Sequence, residues 1–388
     1  MPGRKGALTA DVYRRLAKKL DRLPQGFPPT DSGVELRILR KVFSPADAEV
    51  ALRLEPVPAT AARVARRLGR PPEAVRATLD RMAARGQIGS FTMDGQQRYA
   101  LMPFVIGIYE FQVDRVDREF AELFEEYAPH LLKTLGGHRP ALGRVVPIGA
   151  SIDARLEILG YEDMRAIIGE ARSFALRECI CRKDQALLGR PCSHTLEACL
   201  SFSAEPGAFD YFNYAGRIIS KDEALRLLDA TEEEGLVHAT YNVRERPMFV
   251  CNCCSCCCGF LRGLKQFGAP HMLARSNFVA GIDPERCTSC DACAPPRCPM
   301  DAIERTPPTY AVAADRCIGC GACAPACPTG AIALGRRPEA EQTVPAKDIV
   351  HWSVERMSSR SGPLTRIALK LWLARHAAKA VRDTPGLA

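Results

Sequence analysis

Aromatic residues and long apolar runs are both scarce in this chain of 388 residues. Phe, Trp and Tyr together make up only 7% of the sequence. The longest apolar stretches, such as Phe104–Tyr109, are far shorter than the roughly 20 residues that span a bilayer. Charged residues follow the basic start at the position where a secretory signal would need an apolar segment. The sequence therefore predicts a cytoplasmic protein without a transmembrane segment.

Motifs for nucleotide, haem and radical chemistry are also missing. The chain has no P-loop and no G-x-G-x-x-G after a strand, so no nucleotide of its own is expected. It also lacks the C-x-x-C-H haem attachment motif and the C-x3-C-x2-C run of radical S-adenosylmethionine enzymes. Its seven histidines are scattered, and only His194 lies close in sequence to a candidate metal ligand.

Cysteine is absent from the first 178 residues and abundant afterwards, because all 18 cysteines lie between Cys179 and Cys327. In a reducing cytoplasm, thiols at this density are not kept for disulfides, so ligation of a metal or cluster is the favoured interpretation. The net charge of +8, from 53 Lys+Arg and 45 Asp+Glu, is a mild excess. That excess alone does not indicate a nucleic-acid partner.

Residues 1–32 are predicted to form a basic helix (10–23) and a Pro-rich linker, and residues 33–115 a winged-helix-like domain. Ser44 and Thr60 begin two helices, to about residues 54 and 68, a third helix covers 71–85, and strands at 88–92 and 98–101 form a hairpin around Asp94-Gly95. Seven arginines and two acidic residues between positions 60 and 86 suit phosphate contacts. Side chains suited to reading base edges are absent from the third helix. DNA binding is therefore possible but disfavoured, and a docking or dimerisation platform is the alternative.

Residues 116–278 are predicted to be a mixed, mainly helical, cysteine-rich domain. Helices are expected over 118–132, 162–177 and 221–234, the last beginning at a capping box headed by Ser220. Strands are expected at 145–148 and 236–243. Residues 279–336 form a further domain, and residues 337–388 a tail with a basic amphipathic helix over 364–381. The predicted fold class is α+β, with several domains.

The cysteines of the C-terminal third form two similar runs. Residues 317–328, CIGCGACAPACP, have the spacing C-x2-C-x2-C-x3-C-P, and residues 287–299, CTSCDACAPPRCP, have one extra residue before the last Cys. Two-residue gaps let consecutive thiolates surround a cubane cluster, whereas zinc does not require a distal Cys-Pro. Each run is followed by an Ala-Ile pair, Ala302-Ile303 and Ala331-Ile332. The sequence therefore predicts two pseudo-symmetric halves.

These runs resemble those of the two-cluster bacterial ferredoxin family. The resemblance implies a (βαβ)2 fold, electron transfer and two [4Fe–4S] clusters that are bound in crossed fashion. One cluster would be bound by Cys287, Cys290, Cys293 and Cys327, and the other by Cys317, Cys320, Cys323 and Cys298. Gly319 and Gly321 are expected to let backbone amides approach the cluster sulfurs.

Ten further cysteines do not fit the ferredoxin spacing: Cys179, Cys181, Cys192, Cys199, Cys251, Cys253, Cys254, Cys256, Cys257 and Cys258. The last six lie within eight residues, where deprotonated thiols would repel one another unless a soft metal were bound. The first four are predicted either to form one site or to share sites with the last six. One or two additional [4Fe–4S] clusters are the favoured interpretation. Structural zinc and a redox-active or metal-sequestering thiol patch are the alternatives.

Residues 33–335 together are similar to a group of bacterial and archaeal ferredoxin-type iron–sulfur proteins. The matching segments are Glu178–Arg182, Cys251–Cys258 with Leu261-Arg262, and Ser276-Asn277-Phe278. The resemblance implies a redox partner protein, and it favours an electron-transfer protein or an oxidoreductase subunit over a stand-alone enzyme. Two alternatives are a reductase with its catalytic site in residues 179–258, and an iron–sulfur redox sensor that regulates transcription through the winged helix.

Overall fold

The computed structural model describes residues 3–93, 95–209, 216–361 and 367. Its N-terminal part combines five helices with a three-stranded antiparallel sheet, in which β3 lies between β1 and β2. The elements, in chain order, are α1 (Gly3–Asp21), α2 (Val34–Val42), α3 (Pro45–Ala51), β1 (Ala59–Thr60), α4 (Ala61–Leu68), α5 (Pro72–Ala84), β2 (Gly89–Met93) and β3 (Gln96–Ala100).

Capping side chains begin two of these helices at the predicted positions. The Ser44 hydroxyl accepts a hydrogen bond from the Asp47 amide, and Thr60 accepts one from Arg63, so each satisfies a backbone N–H that has no partner inside its helix. Gly69 ends α4 in the left-handed conformation, at φ 62°. Helix α3 ends at Ala51, earlier than expected, and α2 was not predicted. The assignment of this region as a winged helix stays a prediction, and Asp94 of its predicted turn lies outside the described residues.

The middle part is built on a seven-stranded sheet, and the prediction that it is mainly helical is wrong. The strand order is β10-β4-β8-β9-β6-β5-β7. The elements are α6 (Arg118–Gly136), β4 (Gly143–Val146), α7 (Met164–Glu170), β5 (Ser173–Glu178), α8 (Ile180–Leu187), β6 (Glu197–Ser203), β7 (Arg217–Ile219), α9 (Lys221–Glu233), β8 (Val237–Tyr241), β9 (Phe249–Cys253), α10 (Gly259–Gln266) and β10 (Leu273–Ala274).

The helix that was predicted over residues 162–177 is the clearest error. Helix α7 ends at Glu170, and β5 follows after two residues. Strand β5 pairs with β6 on one side and β7 on the other, and its Phe174 and Leu176 side chains are buried. Pairing on both edges and burial of this strand outweigh the local helical preference.

The C-terminal part contains two antiparallel strand pairs. Strand β11 (Phe278–Ile282) pairs with β14 (Ile332–Arg336), and β12 (Ile303–Thr306) pairs with β13 (Thr309–Val312). The (βαβ)2 prediction is wrong about the helices, since in the described chain turns replace them between β11 and β12 and between β13 and β14. Prolines in both runs remove the amide donors that a helix needs. Helix α11 (Ile349–Arg360) follows.

One large apolar core joins the N-terminal and middle parts, since a single cluster of buried side chains extends from Val12 to Trp352. Helix α1 belongs to this core, and its Tyr13 hydroxyl donates to the Phe43 carbonyl. The predicted domain boundaries stay predictions. The predicted tail helix over 364–381 lies outside the described residues, apart from Ile367. Within the described ranges, no helix is both long and apolar enough to cross a membrane.

Candidate metal centres

Four cysteines form a buried group, which we call the inner group: Cys298, Cys317, Cys320 and Cys323. They line a cavity of about 350 Å³ whose other walls include Ile303 and Leu334. Burial raises the pKa of Cys320 to about 12. The thiolate forms are therefore costly in this apolar cavity unless a bound cation compensates them, which fits a site for a cationic cluster core.

The other four cysteines of the two runs form the outer group: Cys287, Cys290, Cys293 and Cys327. They line a second cavity, of about 310 Å³. Cys290 is exposed and Cys287 and Cys327 are half-buried, so this group lies closer to solvent than the inner group. Each group thus combines three cysteines of one run with the last cysteine of the other, as the ferredoxin resemblance implies.

The two Ala-Ile pairs place matching amides against the distal cysteines. The Ala302 amide donates to the Cys298 sulfur and the Ala331 amide donates to the Cys327 sulfur, each at 3.2 Å. Burial opposes ionisation of Cys327, but hydrogen bonds from Thr329 and Ala331 lower its pKa. Amide donors stabilise a thiolate and tune the potential of a cluster that it binds. The sequence repeat therefore has a direct structural counterpart.

Close backbone contacts fix the loop that carries Cys317 and Cys320. Gly319 has φ 66°, and a Cβ added there would lie 2.1 Å from the Phe278 carbonyl oxygen. The Ser276 hydroxyl donates to the Gly319 carbonyl at 2.7 Å. The expected approach of the Gly319 amide to a sulfur stays a prediction. The structure adds a different reason for glycine, which is that no side chain fits against β11.

The middle part of the chain holds the same loop from its other side. The Ile148 amide donates to the Cys320 carbonyl at 3.0 Å, and the Ser151 hydroxyl donates to the Gly321 carbonyl at 2.9 Å. Sequence reasoning missed Ser151, because its partner lies 170 residues away and no local pattern marks it. The inner group is thereby anchored to the seven-stranded sheet.

The ten upstream cysteines divide into two groups in the structure. We call the first the four-cysteine group: Cys192, Cys254, Cys256 and Cys257. Their four Sγ atoms all lie within 4.8 Å of one another. Cys192 comes from the loop after α8, and the other three from the turn between β9 and α10. A hydrogen bond from Cys257 and the nearby guanidinium of Arg182 outweigh burial and lower the pKa of Cys254 to about 4.

We call the second the six-cysteine group: Cys179, Cys181, Cys199, Cys251, Cys253 and Cys258. Cys199 and Cys251 face each other across the paired strands β6 and β9. The Sγ atoms of Cys253 and Cys258 are 2.9 Å apart. A hydrogen bond from Cys251 lowers the pKa of Cys199 to about 6, against the effect of burial. The geometry therefore links Cys179, Cys181 and Cys199 to the CNCCSCCC segment and places Cys192 in a different group.

Arg182 is a buried cation close to both of these groups. One of its terminal nitrogens donates to the Asn252 carbonyl at 2.8 Å, and the other to the Thr195 carbonyl. Burial opposes its charge, but the adjacent thiolates of Cys179 and Cys254 raise the pKa of Arg182. The sequence shows this residue directly after Cys181, yet its position between the groups depends on the fold. Arg182 therefore offsets the negative charge of the thiolates.

His194 does not belong to the four-cysteine group. Its Nδ1 atom lies 3.3 Å from a carboxylate oxygen of Glu234. The same carboxylate accepts hydrogen bonds from the amide and hydroxyl of Thr195. The position of His194 therefore fits an ion-pair partner that helps to fix the loop of Cys192.

Comparison with protein families gives one match, to the model described as a 4Fe-4S binding domain, over residues 310–333. The chain contains a 4Fe-4S binding domain. The matched segment includes Cys317, Cys320, Cys323 and Cys327, so it supports a [4Fe–4S] cluster in this region. Together with the other cysteines, the match identifies an iron–sulfur protein. Neither the curated proteins nor the solved structures gave a match.

Proposed function

We propose that this protein transfers single electrons, in the cytoplasm, to or from a partner oxidoreductase. It would carry two ferredoxin-type [4Fe–4S] clusters and at least one further cluster. The observation that carries the proposal is the division of eight cysteines into the inner and outer groups, each around its own cavity. Four thiolates are the usual ligands of a [4Fe–4S] cluster, which supplies one-electron chemistry when bound.

The exposures of the two groups support an order of electron transfer. Cys290 is exposed, so the outer group is the side that a partner protein can approach. The inner group lies against the middle part of the chain through the contacts of Ile148 and Ser151. Electrons would therefore pass between the partner and the inner group by way of the outer group.

Arg297 supports a continuation of this route toward the upstream cysteines. Its Nε atom donates to the Ala322 carbonyl at 2.6 Å, next to Cys323, and one terminal nitrogen donates to the Glu233 carbonyl at 2.7 Å, at the end of α9. The following residue with a buried apolar side chain, Leu236, packs against Cys254 and Cys257. Arg297 therefore joins the inner group to the region of the upstream cysteines.

The six-cysteine group is the proposed site of the further cluster. Its members supply more thiols than one cubane requires, and they lie on or next to the sheet strands β5, β6 and β9. The buried guanidinium of Arg182 offsets part of their charge. The reductase and transcription-regulator alternatives stay predictions.

Reversible electron uptake tests the proposal. The full chain, purified without oxygen, is titrated with dithionite and then reoxidised with a one-electron viologen dye. At least two electrons per chain are expected to be taken up and returned without loss of iron. The double variant Cys298→Ser/Cys327→Ser removes one thiol from each group and should take up fewer electrons. Uptake of less than one electron, or irreversible bleaching of the native chain, would overturn the proposal.

A further inference from the structure

The four-cysteine group is packed more tightly than the inner and outer groups. Its Sγ atoms are 3.9 Å apart between Cys192 and Cys254 and 3.6 Å apart between Cys256 and Cys257. Among the described residues, this is the one set of three or more His, Cys, Asp or Glu side chains whose ligand atoms all lie within 4.8 Å of one another. The inner and outer groups instead surround cavities of about 350 and 310 Å³.

These spacings distinguish two kinds of metal site. Four thiolates bound at about 2.3 Å to a single tetrahedral zinc ion lie about 3.8 Å from one another. In a cubane, each thiolate binds a different iron, so the separation between irons holds the sulfurs further apart. The distances of 3.6 and 3.9 Å in the four-cysteine group fit one central ion. The wide spacing around the two cavities fits a cluster.

We infer that Cys192, Cys254, Cys256 and Cys257 form a closed mononuclear zinc site, separate from the iron–sulfur clusters. Four protein ligands leave no open position, which is the arrangement of structural rather than catalytic zinc. The ion would cross-link the loop after α8 to the turn between β9 and α10. The site shares no ligand with the inner or outer group, so this inference is independent of the proposed electron transfer.

The surroundings of the group suit a structural ion. Four thiolates around Zn²⁺ carry a net charge of −2, and the guanidinium of Arg182 lies next to Cys254. Arg182 also donates to the Thr195 carbonyl, and Glu234 accepts from the Thr195 amide at 3.0 Å, which together fix the loop of Cys192. Leu236 packs against Cys254 and Cys257 and shields that side from water.

Two exposed cysteines allow a matched experiment, because replacement of either one disturbs little packing. Cys256 belongs to the four-cysteine group, and Cys290 to the outer group. Zinc, iron and acid-labile sulfide are measured per chain in the full-length protein after anaerobic purification. Cys256→Ser is expected to lower zinc and leave iron and sulfide unchanged. Cys290→Ser is expected to lower iron and sulfide and leave zinc unchanged.

Two further measurements exclude retention of zinc by three remaining thiolates and binding of zinc elsewhere. The double variant Cys192→Ser/Cys256→Ser should lose the single zinc of the native chain. X-ray absorption at the zinc edge should show four sulfurs at about 2.3 Å in the native chain. Absence of zinc from the native chain, or loss of iron and sulfide from Cys256→Ser, would overturn the inference. A native chain with zinc but no iron would overturn the proposed electron transfer alone.

Discussion

The substitution Gly319→Ala is expected to destabilise the loop of the inner group. The left-handed backbone at φ 66° costs a residue with a Cβ about 1–2 kcal/mol. The new Cβ would lie 2.1 Å from the Phe278 carbonyl and 2.2 Å from the Ser276 hydroxyl, so the loop must move away from β11. That movement would also break the hydrogen bond from Ser276 to Gly319, which contributes about 0.5–1.5 kcal/mol. The expected total loss is at least about 2 kcal/mol.

Gly335→Ala is the matched control in the same strand pair. A Cβ at Gly335 has no neighbour within 4 Å, and its backbone is not left-handed. Replacement there should be neutral or slightly stabilising, since alanine restricts the unfolded chain. Anaerobic denaturant unfolding followed by circular dichroism measures stability, and the rate of iron release to a chelator measures the loop. Equal unfolding midpoints and equal iron release for the two variants would refute the reasoning.

Three other substitutions test separate contacts. Cys298→Ser should remove the inner cluster and Cys327→Ser the outer one, each lowering iron by about four per chain; unchanged iron in both would contradict the crossed arrangement. Burial raises the pKa of Asp184 to about 7, so the folded chain retains a proton that the unfolded chain releases near pH 4, and stability should fall by about 4 kcal/mol as pH rises from 4 to 7. Asp184→Asn should flatten this dependence in denaturant titrations at pH 5 and 8, and an unchanged slope would count against it. Arg356 is fully buried and donates to the His138 and Pro140 carbonyls at 3.0 and 2.6 Å, so Arg356→Met should cost at least about 3 kcal/mol of unfolding free energy, and a loss below about 1 kcal/mol would show these bonds to be dispensable.

Local chemistry was enough to predict several helix ends. Ser44, Thr60 and Ser220 each accept an amide hydrogen bond at the start of a helix, and Gly69 and Gly235 follow helices in the left-handed conformation. These signals act within a few residues, so they can be read without knowledge of the fold.

The seven-stranded sheet could not be predicted in the same way. The residues of β5 favour a helix locally, and only pairing with β6 and β7 makes them a strand. Strands β4 and β10 are paired, although about 130 residues separate them in the chain. Pairing over such distances depends on the whole core, which local patterns do not describe.

The candidate site divides along the same line. Regular spacing predicts two four-cysteine groups in the C-terminal third, because the ligands of each run lie close in sequence. The membership of the upstream groups depends instead on the fold. Cys192 approaches Cys254 from 62 residues away, and Cys199 meets Cys251 only through the pairing of β6 with β9.

The most direct test of the account is iron and acid-labile sulfide analysis of the anaerobically purified full chain, combined with electron paramagnetic resonance after reduction. Two [4Fe–4S] clusters contain eight irons and eight sulfides. The account predicts at least these amounts per chain, and a reduced spectrum of two interacting clusters. Four or fewer irons per chain, or iron without sulfide, would contradict it.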